Sequence, residues 1–399
     1  MPPTALQIHA EGLGAARVSE YRGAATAARF RDPQEELAAL RASCGVYDLG
    51  FRAKISLTGG DRVRWLNGMV TNNIRDLAVG QGVYAFLLNP QGHILGDLYA
   101  YNRGDSITVD TDHSQMEKIV ATFEHYIIMD DVELQRMFSP DEGVRGSRGD
   151  ENSTGHGAAD ASSAAELTAL GIAGPAARAV LEAAGLRFSK LQPLQLHTLQ
   201  CDCRDCGCLT CTIVRGDEGP GESYEIWLAP EHIRPLWDAL RKAGATPVGF
   251  EALEMQRIVS GIPRYGVDIR ERDLPQETEQ ARALNFNKGC YVGQEIVERI
   301  RSRGAVHRKF AGFLAEGAGQ ISAGTKISVG EKEVGEITSA VSVRLADEEK
   351  TVALGYIRRE LGVPRRQVII GTTTATVTQL PFNLAAVQPE ESSLEHHPA

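Results

Sequence analysis

Two stretches of this chain concentrate residue types that do chemistry. The first is Cys201-Asp202-Cys203-Arg204-Asp205-Cys206-Gly207-Cys208-Leu209-Thr210-Cys211, five thiols in eleven residues. Thiolates ligate soft metals, and C-x-x-C occurs twice, as Cys203/Cys206 and Cys208/Cys211. A single residue separates the two pairs, too little for a zinc site made of two knuckles with a loop between them. A hairpin turning over 204–207 would put Cys201 and Cys203 on one face, with Cys208 across the pair. Bound zinc, an iron–sulfur cluster, loose thiols and an opportunistic disulfide are all open readings of the five.

The second stretch is Lys288-Gly289-Cys290-Tyr291-Val292-Gly293-Gln294-Glu295. Ile296 and Ile300 stand four apart, which predicts a helix from about Gly293 that ends before Gly304. Cys290 then lies just ahead of a helix N-terminus with Lys288 close by, and both dipole and cation favour thiolate. Gly289 and Gly293 would let the backbone approach a ligand, while the Glu295 charge opposes the thiolate. Read in isolation, the stretch also fits a buried, inert thiol.

The elements that must position these residues are mixed. Asp32 and Pro33 start a helix with Glu35 placed for a capping box, and Leu37, Leu40 and Cys44 share its apolar face up to Gly45. A strand is expected over 54–57, then a short helix capped by Asp61. A hairpin follows, with strands over 83–88 and 93–101 joined by Asn89-Pro90-Gln91-Gly92. Another strand over 106–109 and helices over 114–126 and 176–184 make the pattern α+β, not a doubly wound parallel sheet. Residues 139–165 are rich in Gly, Ser and Asp without aromatics, which reads as a mobile insertion. Beyond Phe310, short β-branched runs over 326–329, 333–338, 352–356 and 367–370 predict a small β-barrel or sandwich. The expected divisions are 1–305, a barrel over 306–388 and a flexible tail over 389–399.

Composition narrows the function. With Lys+Arg 42 against Asp+Glu 52 the net charge is −10, which argues against a general nucleic-acid binder. No apolar run approaches the roughly 18 residues of a membrane span, and no secretory h-region follows the first arginines. Seven cysteines, an odd number, predict reduced thiols and a cytoplasmic or organelle-matrix setting. His113, His125 and His307 have no metal spacing. Arg299, Arg301, Arg303, Arg308 and Lys309 read as a solvated helix end or a docking surface. There is no Walker loop and no dinucleotide fingerprint.

The 288–295 motif, with Arg299 four residues after Glu295, resembles the signature of the YgfZ family. These are folate-binding proteins that support iron–sulfur enzymes, related to the glycine-cleavage T-protein, an aminomethyltransferase. The likeness extends to Gly261-Ile262-Pro263-Arg264-Tyr265-Gly266-Val267-Asp268-Ile269, Leu274-Pro275-Gln276-Glu277, Gly335-Glu336-Ile337-Thr338-Ser339, Ala353-Leu354-Gly355-Tyr356 and Gly45-Val46-Tyr47-Asp48. It implies an α+β, three-domain cloverleaf with a C-terminal small β-barrel, whose central hole holds tetrahydrofolate. Glu225 matches the carboxylate that accepts two N–H bonds from the pterin, with Tyr224 beside it. Arg257 matches an arginine that pairs with the folate tail or positions the pterin. Lys288, Gly289, Gln294 and Glu295 are carried over as further cofactor-binding positions.

The implied function is tetrahydrofolate-dependent help in assembling or repairing iron–sulfur clusters in client enzymes, including those that thiolate tRNA. Cys290 would act as a transient cluster or sulfur ligand or as a redox thiol. No stable nucleic-acid complex and no membrane are expected. The alternatives are an aminomethyltransferase and a thiol-cluster metal scaffold. Two departures bear on the choice. Ser223 and Pro220 alter the family's Gly-Glu-x-Gly-aromatic-Glu loop, and aminomethyltransferases carry paired aspartates where this chain has Gly96-Asp97. Asp97 is thus the single carboxylate left there for acid–base work on a folate nitrogen, and the loss at Gly96 is expected to weaken the transferase reading.

Overall fold

The computed structural model describes residues 2–9, 13–137, 166–203, 207–217, 219, 221–304, 306–316, 321–345 and 348–382, and of 9, 202, 203, 207, 208, 303, 316, 345 and 348 the backbone alone. The insertion expected at 139–165, the tip of the cysteine hairpin and the tail over 389–399 lie outside the described residues.

Where the chain begins to fold regularly, the signals are local. Asp32 caps the helix Pro33–Ala42 by accepting from the Gln34 N–H at 2.8 Å, and Pro33 occupies the first turn. The expected capping box at Glu35 is replaced by its neighbour. Glu36, fully buried, turns back to accept from the Phe30 and Arg31 N–H groups at 2.6 and 2.7 Å, and from Gly249 at 2.8 Å. Leu37, Leu40 and Cys44 are buried as their spacing predicts.

Two antiparallel-rich sheets are interleaved along the chain. One has five strands in the order Gly82–Leu88, Ile94–Asn102, Ile107–Asp112, Arg52–Thr58, Glu133–Arg136. Helices Arg62–Met69 and His113–Tyr126 cover one face of it, where Leu66, Met69, Ile119 and Phe123 meet Leu57, Leu98 and Val109. The other sheet has six strands in the order Leu196–Cys203, Gly207–Arg215, Ser223–Leu228, Thr168–Ala173, Gly45–Asp48, Thr246–Pro247. Helices Ala177–Ala183 and Ile233–Lys242 pack on its core face through Val180, Leu181, Leu236 and Trp237. The cysteine-rich stretch forms the expected hairpin, but in a register that pairs Cys208 with Asp202, Cys201 with Leu209 and Cys203 with Gly207, so Cys208 does not lie across from Cys201 and Cys203 as expected.

Residues 308–378 form a closed six-stranded barrel. Helix Phe250–Val259 is wedged between it and the helix Pro33–Ala42, with Met255, Ile258 and Val259 against Phe310, Leu354 and Tyr356. The 89–92 turn needs a left-handed Gly92 (φ 77°), whose N–H closes onto Asn89 at 2.9 Å. No helix among the described residues is long and apolar enough to cross a membrane.

Candidate functional site

A cavity of about 220 Å³ opens where the two sheets meet the helix Phe250–Val259. On the strand Ile94–Asn102, period two sends Asp97, Tyr99 and Tyr101 toward the cavity and Leu98 and Ala100 into the core of the five-stranded sheet. The same alternation resolves the missing second aspartate. A side chain at Gly96 would point at the helix His113–Tyr126, its Cβ 3.0 Å from Gln115 Oε1 and 3.5 Å from Ile119. The carboxylate this chain retains is therefore the one that faces the cavity, and Gly96 does not weigh against acid–base work there.

Asp97 is held firmly. The Tyr84 hydroxyl donates to its Oδ2 at 2.7 Å, and Gln115 Nε2 donates to Oδ1 at 2.8 Å. Burial, then the nearby Asp112 charge, raises its pKa above the ordinary aspartate value; the two hydrogen bonds and Arg52 only partly offset this. Across the cavity, Glu225 on the strand Ser223–Leu228 accepts from Trp227 Nε1, two residues along on the same strand face, at 2.8 Å. Burial raises its pKa too, Asp110 adds to the effect, and Lys54 and Arg52 oppose it.

Beneath these carboxylates runs a buried chain of charges. Lys54 Nζ lies 3.4 Å from Asp110 and 4.8 Å from the Trp227 ring centroid. Arg52 spans Asp110 at 3.0 Å and Asp112 at 2.8 Å, and Arg22 reaches Asp112 at 3.1 Å. Arg22, Arg52 and Lys54 thus serve Asp110 and Asp112, and among the described residues Asp97 and Glu225 have no ion-pair partner of their own. Among the described residues, Arg22 Nε, Arg52 Nε and Gln256 Oε1 are buried, have no hydrogen-bond partner and belong to cavity-lining side chains. Such atoms call for a polar ligand.

The other sequence-derived residues divide sharply. Tyr224 lines the cavity, and its hydroxyl donates to Glu222 at 3.1 Å. Arg257 lines it as well, but its N–H groups are engaged. They meet Glu254 at 2.8 Å, Asp268 at 2.7 Å, the Ile262 carbonyl at 3.1 Å and Ser339 Oγ at 3.0 Å. A guanidinium has five N–H donors, so little is left for a ligand carboxylate. Lys288, Gly289, Cys290, Gln294 and Glu295 are not among the residues lining the cavity.

Lys288 has a different task from the one expected. Its buried ammonium donates to the carbonyls of Asn67, Val70 and Asn72 at 2.5, 2.6 and 2.7 Å, satisfying the end of the helix Arg62–Met69. Gly293 (φ 82°) is required by close packing: a Cβ there would stand 2.6 Å from the Asn89 carbonyl, so the glycine serves the 89–92 turn and not a ligand. Gly289 faces open space. Gln294 accepts from the Tyr291 N–H at 3.3 Å, and Glu295 and Cys290 are exposed. Cys290 is a free thiol.

In the cysteine hairpin, Cys201 and Cys211 are buried, the Cys201 thiol donates to the Leu209 carbonyl at 3.6 Å, and burial, then the neighbouring Cys201, pushes the Cys211 thiol up to about 12. Among the described residues no group of three or more His, Cys, Asp or Glu side chains is placed to hold a metal ion. Cys206 and the side chains of Cys203 and Cys208 lie outside the described residues.

A family model described as the GCVT N-terminal domain matches residues 8–142 and 151–288. The chain belongs to that family. Curated relatives of this GCVT-domain chain include an aminomethyltransferase of Nostoc sp. (strain PCC 7120), 28% identical over 92% of each chain. One from Rubrobacter xylanophilus is 26% identical over 92% of each, and one from Halothermothrix orenii is 26% identical over 94% of this chain and 98% of that protein. Among solved structures, glycine cleavage system aminomethyltransferase T from Bartonella henselae superposes with a TM-score of 0.76 at 21% identity, covering 92% and 94% of the two chains. The GCVT-domain chain therefore has the glycine-cleavage T-protein fold with its six-stranded C-terminal barrel.

Proposed function

We propose that this GCVT-domain protein binds tetrahydrofolate in the cavity between its two sheets and transfers a one-carbon unit there, as an aminomethyltransferase. The observation that carries the proposal is Asp97, which faces the cavity, is oriented by Tyr84 and Gln115, and has a raised pKa. The cavity suits the ligand. The half-buried rings of Tyr99 and Tyr265 line it for a pterin, and Glu225 lines it as a hydrogen-bond partner for the pterin's N–H edge. The partnerless Gln256 Oε1 and Arg22 Nε supply further polar contacts.

When bound, the folate supplies the nucleophilic nitrogen that receives the one-carbon unit. The protein's part is to take the proton that this nitrogen gives up, with ionised Asp97 as the base. With its pKa raised by burial, Asp97 is a stronger base than an exposed aspartate. Its two hydrogen bonds keep the carboxylate aimed into the cavity. Calorimetric titration with tetrahydrofolate, followed by assay of methylenetetrahydrofolate from an aminomethylated lipoyl carrier, tests the reading. Saturable binding with product formation supports it; binding without product refutes the transferase half.

A second reading is favoured by one feature, the exposed free thiol of Cys290 within its YgfZ-like motif. It makes the chain a folate-dependent accessory for iron–sulfur client enzymes. A Cys290→Ala variant that restores client activity in a deletion strain would remove it. The five-cysteine hairpin belongs to a third proposal, metal binding, which is tested by zinc and iron content of untagged protein purified without oxygen.

A further inference from the structure

Asp268, the buried partner of Arg257, also lines a second cavity of about 260 Å³ on the barrel side, together with Arg270, Arg272, Arg308, Lys326 and Tyr356. The pair is thus a wall shared with the folate cavity, since Arg257 lines that one. The second cavity contains an unsatisfied group. The Tyr356 side chain is 5% exposed and its hydroxyl has no hydrogen-bond partner among the described residues.

The neighbouring carboxylates are each engaged by other donors. Asp273 accepts from Arg308 and from the Arg270 N–H. Glu277 accepts from Arg308 and from the Leu274 N–H. Asp268 accepts from Thr338, Ser339, Arg257 and the Arg264 N–H. The Arg308 guanidinium sits 4.7 Å from the Tyr356 ring centroid and holds the ring in place. A buried hydroxyl kept in a cavity wall without a protein acceptor marks a place where another molecule supplies one.

Positive charge is available in the same lining. Arg272 is exposed and makes no ion pair among the described residues. Arg270 reaches Glu336 only at 3.6 Å, and Lys326 already holds that carboxylate at 2.8 Å.

We propose that this cavity is a second ligand site, for a small molecule bearing a carboxylate or phosphate that meets Arg272 and Arg270 and accepts from the Tyr356 hydroxyl. The shared chemistry is an oxyanion of modest size; separate titrations with succinate and with inorganic phosphate distinguish the two sources. Calorimetry on the full chain, with no folate present, reads the site independently of the proposed transferase, so that failure here leaves the folate reading untouched.

At least one probe should saturate. Tyr356→Phe and Arg272→Gln should each weaken that binding by about fivefold or more, the loss of one hydrogen bond to a charged group. Because the buried hydroxyl has no protein partner, Tyr356→Phe should leave the urea midpoint unchanged or raise it, which keeps the variant informative. Absence of saturable heat with both probes would overturn the proposal. So would wild-type affinity in either variant, or a lowered urea midpoint in Tyr356→Phe, which would reveal an internal partner for the hydroxyl.

Discussion

The inter-sheet cavity and the 288–295 loop handle charge in opposite ways. The cavity keeps carboxylates out of water and leaves Asp97 and Glu225 short of cations, so both have raised pKa values. The loop buries a lone ammonium, Lys288, in a cage of backbone carbonyls and places its thiol, Cys290, in solvent. Polarised groups in a closed, aromatic-lined space suit proton transfer on a bound ligand. A caged cation suits holding backbone in place. The two regions touch through the 89–92 turn, where Gly293 packs on Asn89, yet their side chains serve different ends.

The largest expected effect tests the cavity's chemistry. Asp97→Asn keeps the shape and the Tyr84 and Gln115 contacts nearby but cannot take a proton. Transferase turnover should fall by about 10²–10⁴-fold, with tetrahydrofolate affinity changed far less. The wild-type rate should rise with pH through the raised pKa of Asp97, because the ionised form is the base, and the variant should lose that limb. Next comes the charge chain. Asp110→Ala leaves Lys54 and one end of Arg52 buried and unpaired, and chemical denaturation should show a loss of about 3–5 kcal/mol. Glu225→Gln replaces an ionisable acceptor pair, so calorimetry should show tetrahydrofolate binding weaker by roughly 10- to 100-fold, an effect of about 1.5–3 kcal/mol. Its stability should hold or rise, since burial works against the glutamate charge.

The parts of this comparison that sequence alone discloses are the locally encoded ones. Asp32 and Pro33 mark a helix start, Asn89-Pro90-Gln91-Gly92 marks a turn, and the barrel strands Lys326–Val329 and Gln367–Ile370 match their expected bounds. Asp97, Tyr99 and Tyr101 also show their shared face by period two, a signal that places the tyrosines beside the carboxylate. What stays hidden is long-range. Arg257 resembles a ligand-binding arginine until Ser339, 82 residues away, and Asp268 take its donors. Lys288 is more deceptive, because its three acceptors are backbone carbonyls more than 200 residues distant, and carbonyls have no sequence signature. The short parallel strand Thr246–Pro247 is likewise defined only by its partner, Gly45–Asp48.

A smaller effect sharpens the loop's side. Burial lowers the Lys288 pKa to about 7, against about 10.4 in an unfolded chain. Between those values the unfolded state binds more protons, so stability should rise as pH increases from about 7 to about 10.4. Lys288→Met should flatten that slope in urea titrations at stepped pH. A slope unchanged by the substitution would mean that the three carbonyls hold the ammonium charged and offset its burial.

The smallest effect separates the two regions most cleanly. Cys290 is exposed and is not among the residues lining the cavity, and Gly289 beside it faces open space. Cys290→Ser should therefore change unfolding free energy by no more than about 0.5 kcal/mol. Tetrahydrofolate affinity and transferase turnover should also stay at wild-type values. If the thiol serves iron–sulfur clients, only their activity in a complemented deletion strain should fall, and the cavity and the loop then carry separable functions. If turnover falls with Cys290→Ser instead, the loop must reach the cavity during the reaction through the 89–92 turn, and the division drawn here between a proton-handling interior and a structural loop fails.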